Sequence, residues 1–139
     1  MPLTKDRNTP MRDAEQIPVP LEGGAKIFAG AIVAVAASGF AVAGATAAGL
    51  TYLGRAENFA DNSSGSDGDV SVNVRRKKAF KWKNSNGDPV TQALFGQFCF
   101  IVDDETVSAT DGGGTQSIAG VVVGVEPDGI WVEGMPLPF

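Results

Sequence analysis

Between residues 70 and 83 apolar and polar side chains alternate with a period of two. Val70, Val72, Val74, Phe80 and Trp82 fall on even positions, with Arg76 and Lys78 between them. Ser71, Asn73, Arg75, Lys77, Ala79, Lys81 and Lys83 fall on odd ones. Successive side chains of a strand point to opposite faces, so this pattern predicts one long strand, or two strands bent by a bulge near 76–78. On that reading Phe80 and Trp82 share the buried face of the valines.

The same test applied along the chain predicts further short strands. Residues 27–53 carry no charge and are punctuated by Gly30, Gly39, Gly44 and Gly49. Ser38-Gly39 has the chemistry of a turn between two strands, which favours small buried strands over a membrane span or an Ala/Gly-rich helix. Residues 50–59 read as a strand with Leu50, Tyr52, Gly54 and Ala56 on one face, Gly54 marking a bulge or a close backbone approach. Residues 61–69 read as a solvated acidic loop. Its spacing approaches a calcium loop, but Ser66 stands where Gly is required and Val72 where the bidentate Glu belongs. Asp88 and Pro89 read as the start of a short helix over 89–95, closed by Gly96. Residues 98–102 predict a central strand, 103–105 a turn and 106–109 a returning strand. A Gly-rich hairpin loop follows at 111–115, a buried strand at 117–125, a tight turn at 126–129 and a closing strand at 130–132.

Both ends read as extended. Residues 1–22 contain four prolines and little to bury, apart from Ile17, Val19 and Leu21, whose alternation predicts a short edge strand. The expected organisation is an N-terminal arm (1–22), a β domain (23–133) and an apolar, proline-rich tail (134–139). About eight short strands with one short helix make an all-β class, a small barrel or sandwich.

Composition narrows the chemistry. The 139 residues include 18 Gly and 8 Pro, suited to many short elements joined by turns, and the net charge is −5. There is no His, so neither a Ser/His/Asp nor a Cys/His set can be built, and the single Cys99 cannot make an intrachain disulfide. Neither an enzyme nor a cofactor is expected. The polar opening segment lacks the apolar run of a secretory signal. Six of the eleven basic residues lie in one stretch: Arg75, Arg76, Lys77, Lys78, Lys81 and Lys83. Such a run in an acidic chain points to contact with an acidic protein surface. A single-strand nucleic-acid binding module over 75–83 is the alternative, with Phe80 and Trp82 stacking bases. An Ala/Gly-rich membrane-anchored phage protein is the third reading.

Several stretches carry a resemblance: the opening Met-Pro-Leu-Thr-Lys-Asp-Arg-Asn-Thr-Pro, the run Ala-Lys-Ile-Phe-Ala-Gly-Ala-Ile-Val-Ala from Ala25, Gly-Leu-Thr-Tyr-Leu-Gly-Arg-Ala from Gly49, Gly-Asp-Pro-Val-Thr from Gly87, and Cys-Phe-Ile-Val-Asp-Asp-Glu-Thr-Val from Cys99. Together they resemble the small head-decoration, capsid-cement or minor capsid proteins of tailed bacteriophages, including Mu-like siphophages. The resemblance implies a structural virion protein, assembled in the host cytoplasm and carried on the outer surface of the capsid. Its implied partner is the major capsid protein and its implied state a homotrimer, with no membrane and no specific nucleic acid involved. Within that reading Ile17, Val19, Leu21, Arg75, Lys77 and Lys81 are the candidate capsid contacts. Met135, Leu137 and Phe139 are the candidate oligomer contacts.

Overall fold

The computed structural model describes residues 3–134 and is all-β, with twelve strands and a single 3-10 turn among those residues. The strands are β1 (Gln16–Pro20), β2 (Lys26–Ile27), β3 (Ile32–Val35), β4 (Ala41–Ala43), β5 (Thr51–Ala56), β6 (Ala60–Asp61), β7 (Ser71–Arg75), β8 (Ala79–Asn84), β9 (Phe98–Ile101), β10 (Thr106–Ser108), β11 (Ile118–Glu126) and β12 (Gly129–Glu133). They form a five-stranded sheet in the order β1-β7-β5-β3-β4, a closed barrel β10-β8-β12-β11-β9, and a two-stranded ribbon β2-β6. Several of these strands are only two or three residues long, which is why the sequence suggests a smaller number.

The 70–83 stretch is two strands that belong to different layers. β7 sits in the open sheet and β8 in the barrel, with a three-residue crossing at 76–78. Lys77 takes a left-handed backbone conformation there, at φ 61°. A side chain crowds the following carbonyl in that region at a cost of about 1–2 kcal/mol. The crossing corrects the expectation of one shared apolar face. Val72 and Val74 pack with Val19, Leu21, Ile27, Ala56 and Ala60 in one core. Phe80 and Trp82 pack with Tyr52, Cys99, Ile101, Val122 and Ile130 in the other. Strand β3 serves both cores, because alternation sends Ile32 and Ala34 to the barrel side and Val33 to the other.

The uncharged stretch 27–53 folds as small strands, with Gly39 turning β3 into β4 at φ 87°. Among the described residues no helix is long and apolar enough to cross a membrane. Gly54 makes the close approach that its place in a strand suggests. A Cβ there would collide with the carbonyl oxygen of Arg75 on β7.

Two local expectations are corrected. The helix over 89–95 shrinks to the 3-10 turn Gln92–Leu94, whose preceding residue Thr91 gives no side-chain cap. Asp88 instead turns towards the start of the Gly-rich loop, where Oδ2 accepts from the Thr110 amide at 3.0 Å and from its hydroxyl at 2.6 Å. The acidic loop 61–69 is held from within. Asn62 is buried, and its amide Nδ2 donates to the carbonyls of Leu21, Glu22 and Ser66. A Cβ on Gly65 would strike Asn62 Oδ1, so the loop closes on a glycine.

Candidate functional site

Strand β1 is already paired within its own chain. It runs antiparallel to β7 from Gln16 opposite Arg75 to Pro20 opposite Ser71. The ladder bonds at its ends come from Glu15 and Leu21, so Pro18 and Pro20, of the opposite parity, turn their missing N–H groups to the free edge. Val19 and Leu21 are buried and Ile17 is half-buried in the second core. The structure thus places these three candidate capsid contacts in an edge strand paired to β7, with Val19 and Leu21 in the core. Its remaining edge is blunted by the two prolines, and its apolar face is turned inward.

The basic run likewise turns to its own chain. Arg75 Nε meets Glu57 at 2.8 Å, and Arg55 binds the same carboxylate oxygen at 2.8 Å. Both guanidinium groups hold the Glu57 carboxyl below the usual carboxylate range, Arg55 first. Lys78 pairs with Glu15 at 2.9 Å and Lys83 with Glu105 at 3.1 Å. Lys81 bridges Asp128 at 2.8 Å and Glu126 at 3.7 Å, and lies over the Trp131 ring at 5.9 Å. Arg76 donates to the Ala14 carbonyl at 3.2 Å. Lys77 alone of the six makes neither an ion pair nor a side-chain hydrogen bond among the described residues. Arg75 and Lys81 thus tie strands and turns together and do not form an open basic face. Phe80 and Trp82 are buried, the Trp82 indole N–H donating to the Tyr52 hydroxyl at 3.1 Å. They offer no platform for stacking bases.

Cys99 is fully buried, and burial pushes its thiol up to about 12, so it carries no nucleophile at neutral pH. The tail residues Met135, Leu137 and Phe139 lie outside the described residues.

Two exposed apolar features stand out that pattern reading did not single out. The first is the outer face of the barrel at β9 and β11. Phe98 pairs with Val121 and Phe100 with Ile118, so each pair shares a face, and Phe98 and Ile118 are exposed. Val123 and Phe95 extend the same exposure. No charged residue occurs in 89–102 or in 112–125, so β9 and β11 bring no charge to the face, and Glu133 of β12, opposite Val121, borders it. The signal was present as uncharged sequence, but a run apolar on both faces reads as a buried strand.

The second feature is an aromatic pair at the end of the β2-β6 ribbon. Phe28 follows β2, Phe59 precedes β6, and their ring centroids lie 5.3 Å apart at 41°. They are 56% and 51% exposed. Ile27 and Ala60 anchor the pair from beneath, and the Ala31 amide closes the turn on the Phe28 carbonyl. Beside it, Ala29, Gly30, Ala31, Asp104 and Glu105 line a shallow depression of about 210 Å³. The Asp104 carboxyl is held above the usual range, by burial first and then by Asp103 and Glu105.

No known family, curated protein or solved structure matches the chain.

Proposed function

We propose that the chain is a structural virion subunit, a head-decoration or cement protein of a tailed phage. In this reading it binds the outer surface of the capsid and bridges neighbouring major capsid subunits. The exposed apolar face over Phe98, Ile118 and Val123 is the observation that carries the reading. Monomers rarely leave contiguous apolar surface of this kind without a partner, and the face lies on a closed barrel that exposes no strand edge there. Contact is then made by side-chain packing and not by strand addition. Contacts of this size are weak singly, and repetition over a lattice, with each copy tied to others in a homotrimer, raises them to useful strength.

The test is recovery of the protein with filled heads. Heads lacking it are incubated with the purified chain, separated on a density gradient and assayed for both proteins. A fixed, saturable ratio to the shell protein supports the reading. Absence from the head fraction at all concentrations refutes it.

A further inference from the structure

The chain separates its charges between arm and body. The ion pairs engage Glu15, Glu57, Glu105, Glu126 and Asp128 with Arg55, Arg75, Lys78, Lys81 and Lys83. On the body, the carboxylates outside these pairs are Glu22, Asp61, Asp67, Asp69, Asp88, Asp103, Asp104, Asp111 and Glu133, against three cations, Lys26, Arg76 and Lys77. Residues 3–13 show the reverse balance, with Lys5, Arg7 and Arg12 against Asp6 and Asp13. That segment is exposed throughout, and Met11 is 98% exposed. An extended segment of this length spans up to about 35–40 Å.

We propose that the Phe28–Phe59 pair and the adjoining Asp103–Asp104 turn form a docking site for the arm of a second copy of this chain. Met11 lies on the two rings and Arg12 reaches the carboxylates. Among the described residues each half supplies what the other lacks: an exposed apolar side chain meets an exposed aromatic pair, and a cation outside the ion pairs meets carboxylates outside them. The rings are fixed before docking, since Ile27, Ala60 and the Phe28–Ala31 turn hold them, so little freedom is lost at the site itself. Aromatic faces accept both a thioether and a neighbouring guanidinium. The contact is head-to-tail, arm of one copy to body of the next, and such contacts build a ring where the rotation closes. The inference is independent of the capsid reading, because it concerns the chain in solution.

The experiment uses full-length protein and pairs of cysteine variants. One chain carries Pro10→Cys and the other Ala29→Cys, exposed positions that leave Met11, Arg12 and both rings intact, and the two are mixed under mild oxidation. The native Cys99 is buried and does not compete. Gly87→Cys, on an open turn with no neighbour near a Cβ there, replaces Ala29→Cys as the control. A mixed disulfide dimer formed severalfold above the control is expected. Adding Asp104→Lys to the acceptor chain should cut the yield severalfold, and adding Arg12→Glu to the donor chain should restore it. Three results overturn the proposal. The first is a yield equal to the control. The second is a yield indifferent to both charge changes. The third is an intrachain disulfide in the Pro10→Cys, Ala29→Cys double variant that persists on dilution while the mixed dimer is absent, which would assign the site to the chain's own arm.

Discussion

Replacing Gly54 by Ala tests the close approach on which the open sheet depends. Gly54 lies on β5 opposite Val33, and an added Cβ would fall onto the Arg75 carbonyl oxygen, with the carbonyl carbon at 3.1 Å and Arg76 Cα at 3.5 Å. All three atoms are backbone, so no side chain can swing away. Space can come only from moving β7 off β5. The register between them is two residue pairs, Arg55 with Arg75 and Ala56 with Val74, and apart from the single Leu21–Ala41 bridge to β4 this ladder joins the β1-β7 half to the rest of that sheet. Forcing an extra methyl group into a packed site costs about 1–3 kcal/mol. Weakening two ladder hydrogen bonds adds about 1 kcal/mol each. The expected loss is therefore about 3–5 kcal/mol, a large share of the roughly 5–15 kcal/mol that holds a domain folded. For a chain of this size it lowers Tm by roughly 10–20 °C. Gly87→Ala is the control, since a Cβ there meets nothing within 4 Å. Thermal and urea unfolding, followed by circular dichroism, give the comparison. If Gly54→Ala melts where Gly87→Ala does, the β5–β7 approach is not a constraint and the account of the two-layer crossing fails with it.

Four further outcomes are expected. Lys77→Gly relieves the left-handed strain of about 1–2 kcal/mol while adding about 0.5–1 kcal/mol of unfolded-state freedom, so urea unfolding should show a neutral to slightly stabilised protein; a clear loss would mean the Lys77 side chain has a structural role. Tyr52→Phe leaves the buried Trp82 N–H without its acceptor and should cost about 1–3 kcal/mol by the same measurement. At high pH, burial raises both the Cys99 thiol and the Tyr52 hydroxyl above their unfolded values, so the unfolded chain releases these protons first. Their contribution is complete below the unfolded pKa values, about 8.5 for Cys and 10 for Tyr, and is lost as pH rises towards the folded ones. Cys99→Ala should accordingly remove the part of the decline that begins near the thiol value, and an unchanged profile would contradict the burial argument. Finally, Phe98→Ser with Val123→Ser should abolish recovery with heads while leaving the unfolding cooperative, because both side chains are exposed.

Much of the fold was legible because most strands obey local rules. The turns at Gly39, at 111–115 and at 126–129, and the special role of Gly54, follow from residues that only those backbone conformations suit. What escaped was non-local. The period of two runs through 70–83, broken on its apolar parity only by Arg76 and Lys78, and that break predicts a bend without marking that β8 leaves the sheet for the barrel. The break is a lysine in a glycine-like conformation, held where the chain passes between two cores. Asp88 has the right neighbours for a cap, but it satisfies a donor 22 residues away. The setting of the basic run escaped for the same reason. A basic run is conspicuous in sequence, and the carboxylates that neutralise it come from Glu15, Glu57, Glu105 and the 126–128 turn, far along the chain.

That neutralisation bears on which surface the chain can meet. Exposed ion pairs contribute little stability each, about 0–1 kcal/mol, but each cancels a cation that would otherwise project into solvent. With Arg75, Lys78, Lys81 and Lys83 so engaged, the carboxylates outside ion pairs outnumber such cations on the body by nine to three. The field within one Debye length, about 8–10 Å, is then that of an acidic body, which repels an acidic surface. A shell surface suited to this chain is therefore apolar where it meets Phe98, Ile118 and Val123, and neutral or basic around them.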